Sequence, residues 1–506
     1  MSNFSILDGG IVGVYLVGCM VAGIMAKRYV GRVDQFLVAG REMNLYLGIA
    51  SLAATEFGIA TCMYSSEFGF KYGFSGATPG VMQFLAMLLI GCTGFCIKPL
   101  RDAGVMTIPE LFQNQYGSRI RWMSGIVIVL GGLLNMGVFF RLGGEFLVVV
   151  CGFNPDYIAI VMTALLLGVA VYTILGGMVS VLITDYLQFI VMSGGLLVVT
   201  GLVFYSVGWS DMVAAVESRH GAGGFNPFLN KELGWRYVGF YGILCTAAVL
   251  TWQTTVQRVL AAKDSKTGKA IYRGTSFFFV CRFLIPGLWG IAALAALDQG
   301  LVSELLGDST RARLAMPTLL AGLVPIGAMG IVIAGMLAAD MSTESSYMLS
   351  WGSVIYNDIL APFRKGGITQ RRGLLWNRMI IALIGVFLFL YGLLYPLDQN
   401  IMDYLGITAT IYLSSMTSLL IAACYWRKAN DWGAAAAICT GAIMPLTFLV
   451  VEKATHFAAV NHFFTEVIGV HLWGILTYFV TGAAMVMGSL LKSILGYDGR
   501  SKADNA

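Results

Sequence analysis

Tyr172-Thr-Ile-Leu-Gly-Gly-Met-Val-Ser-Val-Leu-Ile-Thr-Asp-Tyr-Leu-Gln188 joins two apolar runs, 157–175 and 179–207. Each run is close to the ~20 residues that an α-helix needs to cross ~30 Å of hydrocarbon. Gly176-Gly177-Met178 predicts a tight turn between them, because glycine takes backbone angles that a Cβ forbids. Asp185 then falls inside the second run, one turn before Gln188. A charge at the bilayer centre costs at least ~2.5–3.5 kcal/mol, so this carboxyl needs either a partner or a task.

The same kind of run recurs along the chain. Thirteen membrane segments are expected: 6–26, 45–67, 78–97, 122–150, 157–175, 179–207, 235–256, 275–297, 326–349, 374–395, 401–425, 433–451 and 470–491. Of 506 residues, 58% are apolar and 12% charged, against roughly 25% charged in a soluble domain. That balance excludes a soluble protein and makes the lipid bilayer the first partner. The net charge of +5 forms no basic stripe interleaved with aromatics, so nucleic acid is not an expected partner. Nine cysteines without a CxxC pair, and only four histidines, read as packing residues rather than metal ligands. The first run lacks a basic leader and a cleavage site, and is expected to be a retained helix. No obligate protein partner is evident.

Loop charge sets the expected orientation. With the N-terminus outside, inner loops and the tail hold 22 Lys and Arg, from Lys27 to Lys502 with Arg258 among them, and outer loops hold seven. The excess belongs on the cytoplasmic side, giving N-out, C-in in a multi-pass cell membrane. Loop rhythm suggests internal repeats in this single transporter domain, 1–506. Segments 45–207 and 235–425 each hold five helices, and in each the fourth and fifth are tightly joined, by Gly176–Met178 and by Pro396–Asn400. Five is odd, so the halves would be inverted in the membrane, the plan of many secondary transporters. Coincidence of loop lengths gives the same spacing. Runs 6–26 and 433–491 would then be peripheral.

The interior acids are Glu56, Glu145, Asp185, Asp340 and Glu344; the interior bases are Arg141, Arg282 and Arg378. Some of these can pair and only fix packing. Ser51-Leu-Ala-Ala-Thr-Glu56-Phe-Gly58-Ile-Ala-Thr61 is small and polar at its centre, which predicts an unwound helix whose carbonyls can hold a cation. Near the end of the ninth segment stands Ala338-Ala-Asp340-Met-Ser342-Thr-Glu344-Ser-Ser346. Helical spacing puts Ser342, Ser345 and Ser346 on one face, and Asp340 and Glu344 on another beside Thr343. Hydroxyls at this density offer hard oxygen ligands for an alkali cation; serines also hold membrane helices together.

At these residues the chain resembles the sodium:solute symporter family, which includes bacterial proline, galactose and sialic acid symporters. The resemblance rests on the Tyr, Gly-Gly, Thr-Asp and Gln pattern at 172–188 and on Phe36-Leu-Val-Ala-Gly40-Arg41. Gln257-Arg258 and Ala339 with Ser342-Thr343 extend it, over about residues 10–430. It implies an all-α LeuT-type fold with inverted five-helix repeats, one helix before the core and two after. It implies a main sodium site from the carbonyls of Ala54, Phe57 and Ala339 and the side chains of Ser342 and Thr343. A second sodium site would use Asp185, Ser342, Ser345 and Ser346, giving two ions per cycle. Glu56 matches an aspartate of the proline-type members.

For the solute, Arg282 aligns with a sugar-contacting lysine of a galactose-type member through Pro286. Trp252 and Thr61 replace that member's asparagine and glutamine, departures that weaken a copied sugar site. Arg141 lies near an arginine position that holds a carboxylate in sialic acid symporters. Arg141 and Arg282 facing one cavity, with Trp252 and Gln253, would suit an organic acid, acidic sugar or amino acid; a neutral sugar is the alternative. Asp340 and Glu344 fit neither reading, and would pair with an arginine or carry a proton. The expected activity is sodium-coupled symport of a small organic solute by alternating access. No HExxH or GxSxG motif points to an enzyme. A single-chain repeat argues against a channel, and a transporter-like sensor remains the rival from another class.

Overall fold

In lipid a backbone can satisfy its hydrogen bonds only within its own helix or in a closed barrel, and the apolar runs take the first solution. The computed structural model describes residues 2–298, 309–363, 369–395, 401–453 and 458–496. Among these there is no strand, only an isolated bridge between Met43 and Ala262. The principal helices are α1 (Ile6–Ala26), α2 (Leu45–Thr55), α3 (Ile59–Tyr72), α4 (Thr78–Thr93), α5 (Ser118–Met136), α6 (Phe139–Cys151) and α7 (Ile158–Ser206). They continue with α8 (Gly234–Thr251), α9 (Gln253–Ala261), α10 (Ser265–Asp298), α11 (Ala328–Val354), α12 (Gln370–Leu394), α13 (Ile401–Tyr425), α14 (Asp431–Lys453) and α15 (Gly469–Ile494).

Nine helical stretches among the described residues are long and apolar enough to cross a membrane. They are fewer than the thirteen expected segments because 59–93 takes in 78–97 with the end of 45–67, 155–206 takes in 157–175 with nearly all of 179–207, and α8 and α11 are not among the nine; α11 carries hydroxyls and two carboxyls where an ordinary span has Leu or Val. The link Pro396–Asn400 lies outside the described residues, as do the inner-loop charges Arg364 and Lys365 and the tail charges Arg500 and Lys502. α10 begins at Ser265, ten residues before the expected 275. Its first turns are polar, and hydropathy marks the part of a helix in lipid rather than the whole helix.

The turn within α7 is centred on Gly177, at φ 54° and ψ −144°, an arrangement open essentially only to glycine. A Cβ there would also lie 2.6 Å from the ring and carbonyl of Phe36. Arg378 donates to the carbonyls of Ile174 and Leu175, each at 3.1 Å, so this interior base caps the end of the first arm of α7. α7 packs extensively on α11. Tyr172 Oη donates to the Met341 carbonyl at 3.0 Å, and Gln188 Nε2 donates to Cys19 Sγ of α1 at 3.4 Å. Asp8 pins the other end of α1, accepting from the amides of Gly327 and Gly330 at the start of α11.

Two helices are broken in mid-course. α2 and α3 are separated by Glu56-Phe57-Gly58, with Gly58 extended at φ −105° and ψ 174°. This is the stretch whose small polar centre predicts unwinding. α8 and α9 are separated at Trp252, φ −64° and ψ 115°. The apolar run 235–256 predicts one helix here, with Gln257-Arg258 in the loop beyond; the structure breaks the run and places both residues inside α9. The Met43–Ala262 bridge ties the start of α2 to the end of α9, with Met43 N donating to Ala261 O and Lys263 N to Met43 O, each at 3.1 Å.

Candidate functional site

The α2–α3 break faces the hydroxyl face of α11. Thr343 Oγ1 lies 2.8 Å from the Thr55 carbonyl and 3.1 Å from the Ala339 carbonyl, its two acceptors. Gly58 makes this approach possible, since a Cβ there would sit 2.8 Å from Thr343 Oγ1. Ala54 and Phe57 flank the same break, both buried, and the Phe57 amide donates to the Ala54 carbonyl at 3.3 Å. Hard oxygens from a broken helix and from α11 therefore converge here, a donor set suited to an alkali cation. The carbonyl that Thr343 meets on α2 is that of Thr55, which is not among the carbonyls the family resemblance implies.

Asp185 forms the neighbouring cluster. Ser342 Oγ donates to its Oδ1 at 2.6 Å and Ser51 Oγ to its Oδ2 at 2.5 Å. Arg258 reaches it too, with Nη2 3.2 Å from Oδ2. The same guanidinium donates to Thr55 Oγ1 at 2.6 Å, to Ser51 Oγ at 3.1 Å and to Ser346 Oγ. Ser345 turns away and donates to its own helix at the Ser342 carbonyl. Arg258 is fully buried, so its expected place among the inner-loop charges is corrected. A charge directly after an apolar run reads as a loop residue, whereas here the break at Trp252 carries α9 back into the core.

Glu56, Thr61, Trp252 and Arg282 line one cavity of about 110 Å³ with Tyr64, Gln83, Asn135, Phe139, Tyr241 and Tyr347. Arg282 Nη1 donates to Glu56 Oε2 at 2.8 Å and its Nη2 to Tyr64 Oη at 3.0 Å. Thr255 and Thr254 hydroxyls donate to Glu56 Oε1 at 2.9 and 3.2 Å. Phe279 and Phe283 flank the guanidinium, 5.4 and 5.2 Å from its carbon to the ring centres. Arg282 Nε is buried without an acceptor. Trp252 and Tyr347 line one side of the cavity, and Trp351 and Tyr412 pack outside the lining, Trp252 lying 5.7–5.8 Å from each of the other three rings. Gln253 is buried outside the lining, and neither of its amide atoms has a hydrogen-bond partner.

Arg141 does not join them. It pairs with Glu145 at 3.1 Å on its own helix, and Arg313 reaches the same carboxylate at 3.1 Å. The expectation of two arginines facing one cavity therefore loses one of its members; the spacing of four between Arg141 and Glu145 was the signal for it.

The sequence model described as the Sodium:solute symporter family matches residues 36–441. The chain belongs to the sodium:solute symporter family. Among relatives of the symporter is the sodium/glucose cotransporter 4 of Danio rerio, 25% identical over 88% of this chain and 72% of the relative. The sodium/mannose cotransporter of Bos taurus is 26% identical over 97% of this chain and 87% of its own length. The sodium/pantothenate symporter of Haemophilus influenzae is 24% identical over 85% and 87%. A solved sodium-coupled sialic acid symporter, substrate-bound and outward-open, superposes with a TM-score of 0.79 at 17% identity, over 97% of this chain and 98% of that one. The symporter is thus an integral membrane protein of LeuT-type helical fold, from a family that couples sodium to the movement of a solute.

Proposed function

We propose that this symporter carries an uncharged, hydroxyl-rich solute of sugar size, bound between Glu56, Arg282, Thr61 and Trp252, with sodium held by Thr343 and Ser342 and the carbonyls of Ala54, Phe57 and Ala339 at the α2–α3 break. One observation carries the solute class: Glu56 and Arg282 neutralise each other inside the cavity. A lone anion would leave the cavity negative overall and compete with Glu56 for the guanidinium. A neutral polyol leaves the pair intact, hydrogen-bonds to the lining side chains Gln83 and Asn135, and lays its apolar ring face on Trp252 and Tyr347. A zwitterionic amino acid is the second reading, because its two charges match the two members of the pair.

The mechanism follows from the two breaks. Helices interrupted at corresponding places in the two halves, at Glu56–Gly58 and at Trp252, support inverted repeats over 45–207 and 235–425, with the site between them. Sodium at Thr343 links α2–α3 to α11 and favours the state open to the outside, where the solute binds. Rocking of the broken-helix bundle then exposes both to the inside. With the N-terminus outside in the cell membrane, each sodium entering through 100 mV contributes ~2.3 kcal/mol.

Sodium-driven uptake into proteoliposomes tests this, with unlabelled sugars, polyols, amino acids and organic acids as competitors. Competition by sugars or polyols, lost in Thr343→Val, is the expected result. Competition only by amino acids selects the second reading, and competition only by organic acids overturns both.

A further inference from the structure

Two buried carboxyls are left over by this reading of the site. Asp340 and Glu344 lie one turn apart on α11, 1% and 0% exposed. The other interior acids have cations: Glu56 has Arg282, Asp185 has Arg258 and Glu145 has Arg141. Among the described residues no Arg, Lys or His pairs with Asp340 or Glu344. Both Glu344 oxygens and Asp340 Oδ2 lack any hydrogen-bond partner; the backbone amide of Ile59, at the start of α3, is the group that faces Asp340. Opposite stands Gly143 of α6, where a Cβ would lie 3.0 Å from Asp340 Oδ2, so that side of the carboxyl is kept clear of any side chain.

We propose that Asp340 and Glu344 hold a second coupling sodium between α11, α6 and the start of α3. The inference rests on the sodium-symport reading and adds an ion site to it. Fully buried carboxylate oxygens without donors are what an alkali cation needs from a protein, and a carboxylate pair without a cation is strongly disfavoured at this depth. The Asp185 cluster is a poorer host. Arg258 already neutralises Asp185 and donates to Ser51, Thr55 and Ser346, so the oxygens that a sodium ion would need there are taken. The Thr343 site and the carboxyl site also flank the same break, the first at Thr55 and Gly58 and the second at Ile59. Filling one would order the backbone that serves the other, so the two ions would bind cooperatively.

Equilibrium binding of ²²Na⁺ to the purified full-length protein tests this without knowledge of the solute. Wild type is expected to bind two ions per chain. Asp340→Asn with Glu344→Gln is expected to bind one, Thr343→Val one, and Asp185→Asn two. Gly143→Ala keeps both carboxyls but crowds Asp340, and is expected to weaken the second ion at least tenfold in a protein that elutes as wild type does. A wild type that binds a single ion, retained by the carboxamide variant, overturns the proposal; proton uptake by wild type that this variant lacks would then place a proton on the pair. Loss of one ion in Asp185→Asn instead also overturns it. Absence of sodium binding in every protein would overturn the symport reading itself.

Discussion

Arg282 and Glu56 form a buried ion pair, 7% and 4% exposed, whose worth lies in its completeness. Removing one partner leaves the other charged in a low-dielectric core, which costs about 3–5 kcal/mol, whereas removing both costs far less. Glu56→Gln and Arg282→Gln should each lower the unfolding midpoint in detergent, and the double variant should recover much of the loss. A double-mutant cycle on thermal unfolding checks this, and additive losses would mean that the two groups do not act as a pair. The same reasoning separates Arg141 from the cavity: its partner is Glu145, so Arg141→Gln should change stability without changing which competitors block uptake. The sequence makes Arg282 and Glu56 stand out because charges are rare in membrane helices. It cannot pair them, since they lie more than 220 residues apart and only the bundle brings them together.

At the scale of elements, the turn in α7 depends on a single residue. Gly177→Ala forces an alanine into a glycine-only conformation and drives its Cβ into Phe36, so it should destabilise by about 1–3 kcal/mol. A lowered unfolding midpoint checks this, and an unchanged midpoint would show that the turn can relax. A second device sits where α10 begins: Asp264 accepts from the Thr267 amide at 2.7 Å. That amide, with the Thr267 hydroxyl, holds the Asp264 carboxyl below its ordinary pKa. The stabilisation is therefore present above the ordinary carboxylate range and fades as pH falls through the lowered value. Asp264→Ala should cost about 1 kcal/mol at neutral pH, and the gap from wild type should close in acid, as read by midpoints across pH. The α7 turn and the α2–α3 break are legible in sequence because glycines and small polar residues interrupt apolar runs there. The break at Trp252 carries no such mark: Thr251-Trp252-Gln253 reads as continuous helix, and its bend is held by ring contacts with Tyr347, Trp351 and Tyr412 from other helices. Arg258 is misread for the same reason, because its burial follows from that bend.

For the molecule as a whole, the proposed alternating access requires some contacts to persist through the cycle and others to open. The start of α2 and the end of α9 are joined by backbone at Met43 and Ala262, which marks the two broken helices as one moving body. The join between α2 and α11 is of another kind: Thr55 and Ser346 meet through hydroxyls 2.9 Å apart, beside the Thr343 contact that sodium is proposed to bridge. Side-chain contacts of this sort can part when the bundle rocks, while a backbone bridge within one body need not. In a background freed of the native cysteines, Met43→Cys with Ala262→Cys should therefore cross-link without loss of sodium-driven uptake. Thr55→Cys with Ser346→Cys should stop uptake when oxidised and recover it on reduction, to the level of the unlinked double variant. Uptake that survives the second cross-link would mean that α2 and α11 travel together. The moving body would then have to be redrawn to include α11, and with it both proposed sodium sites.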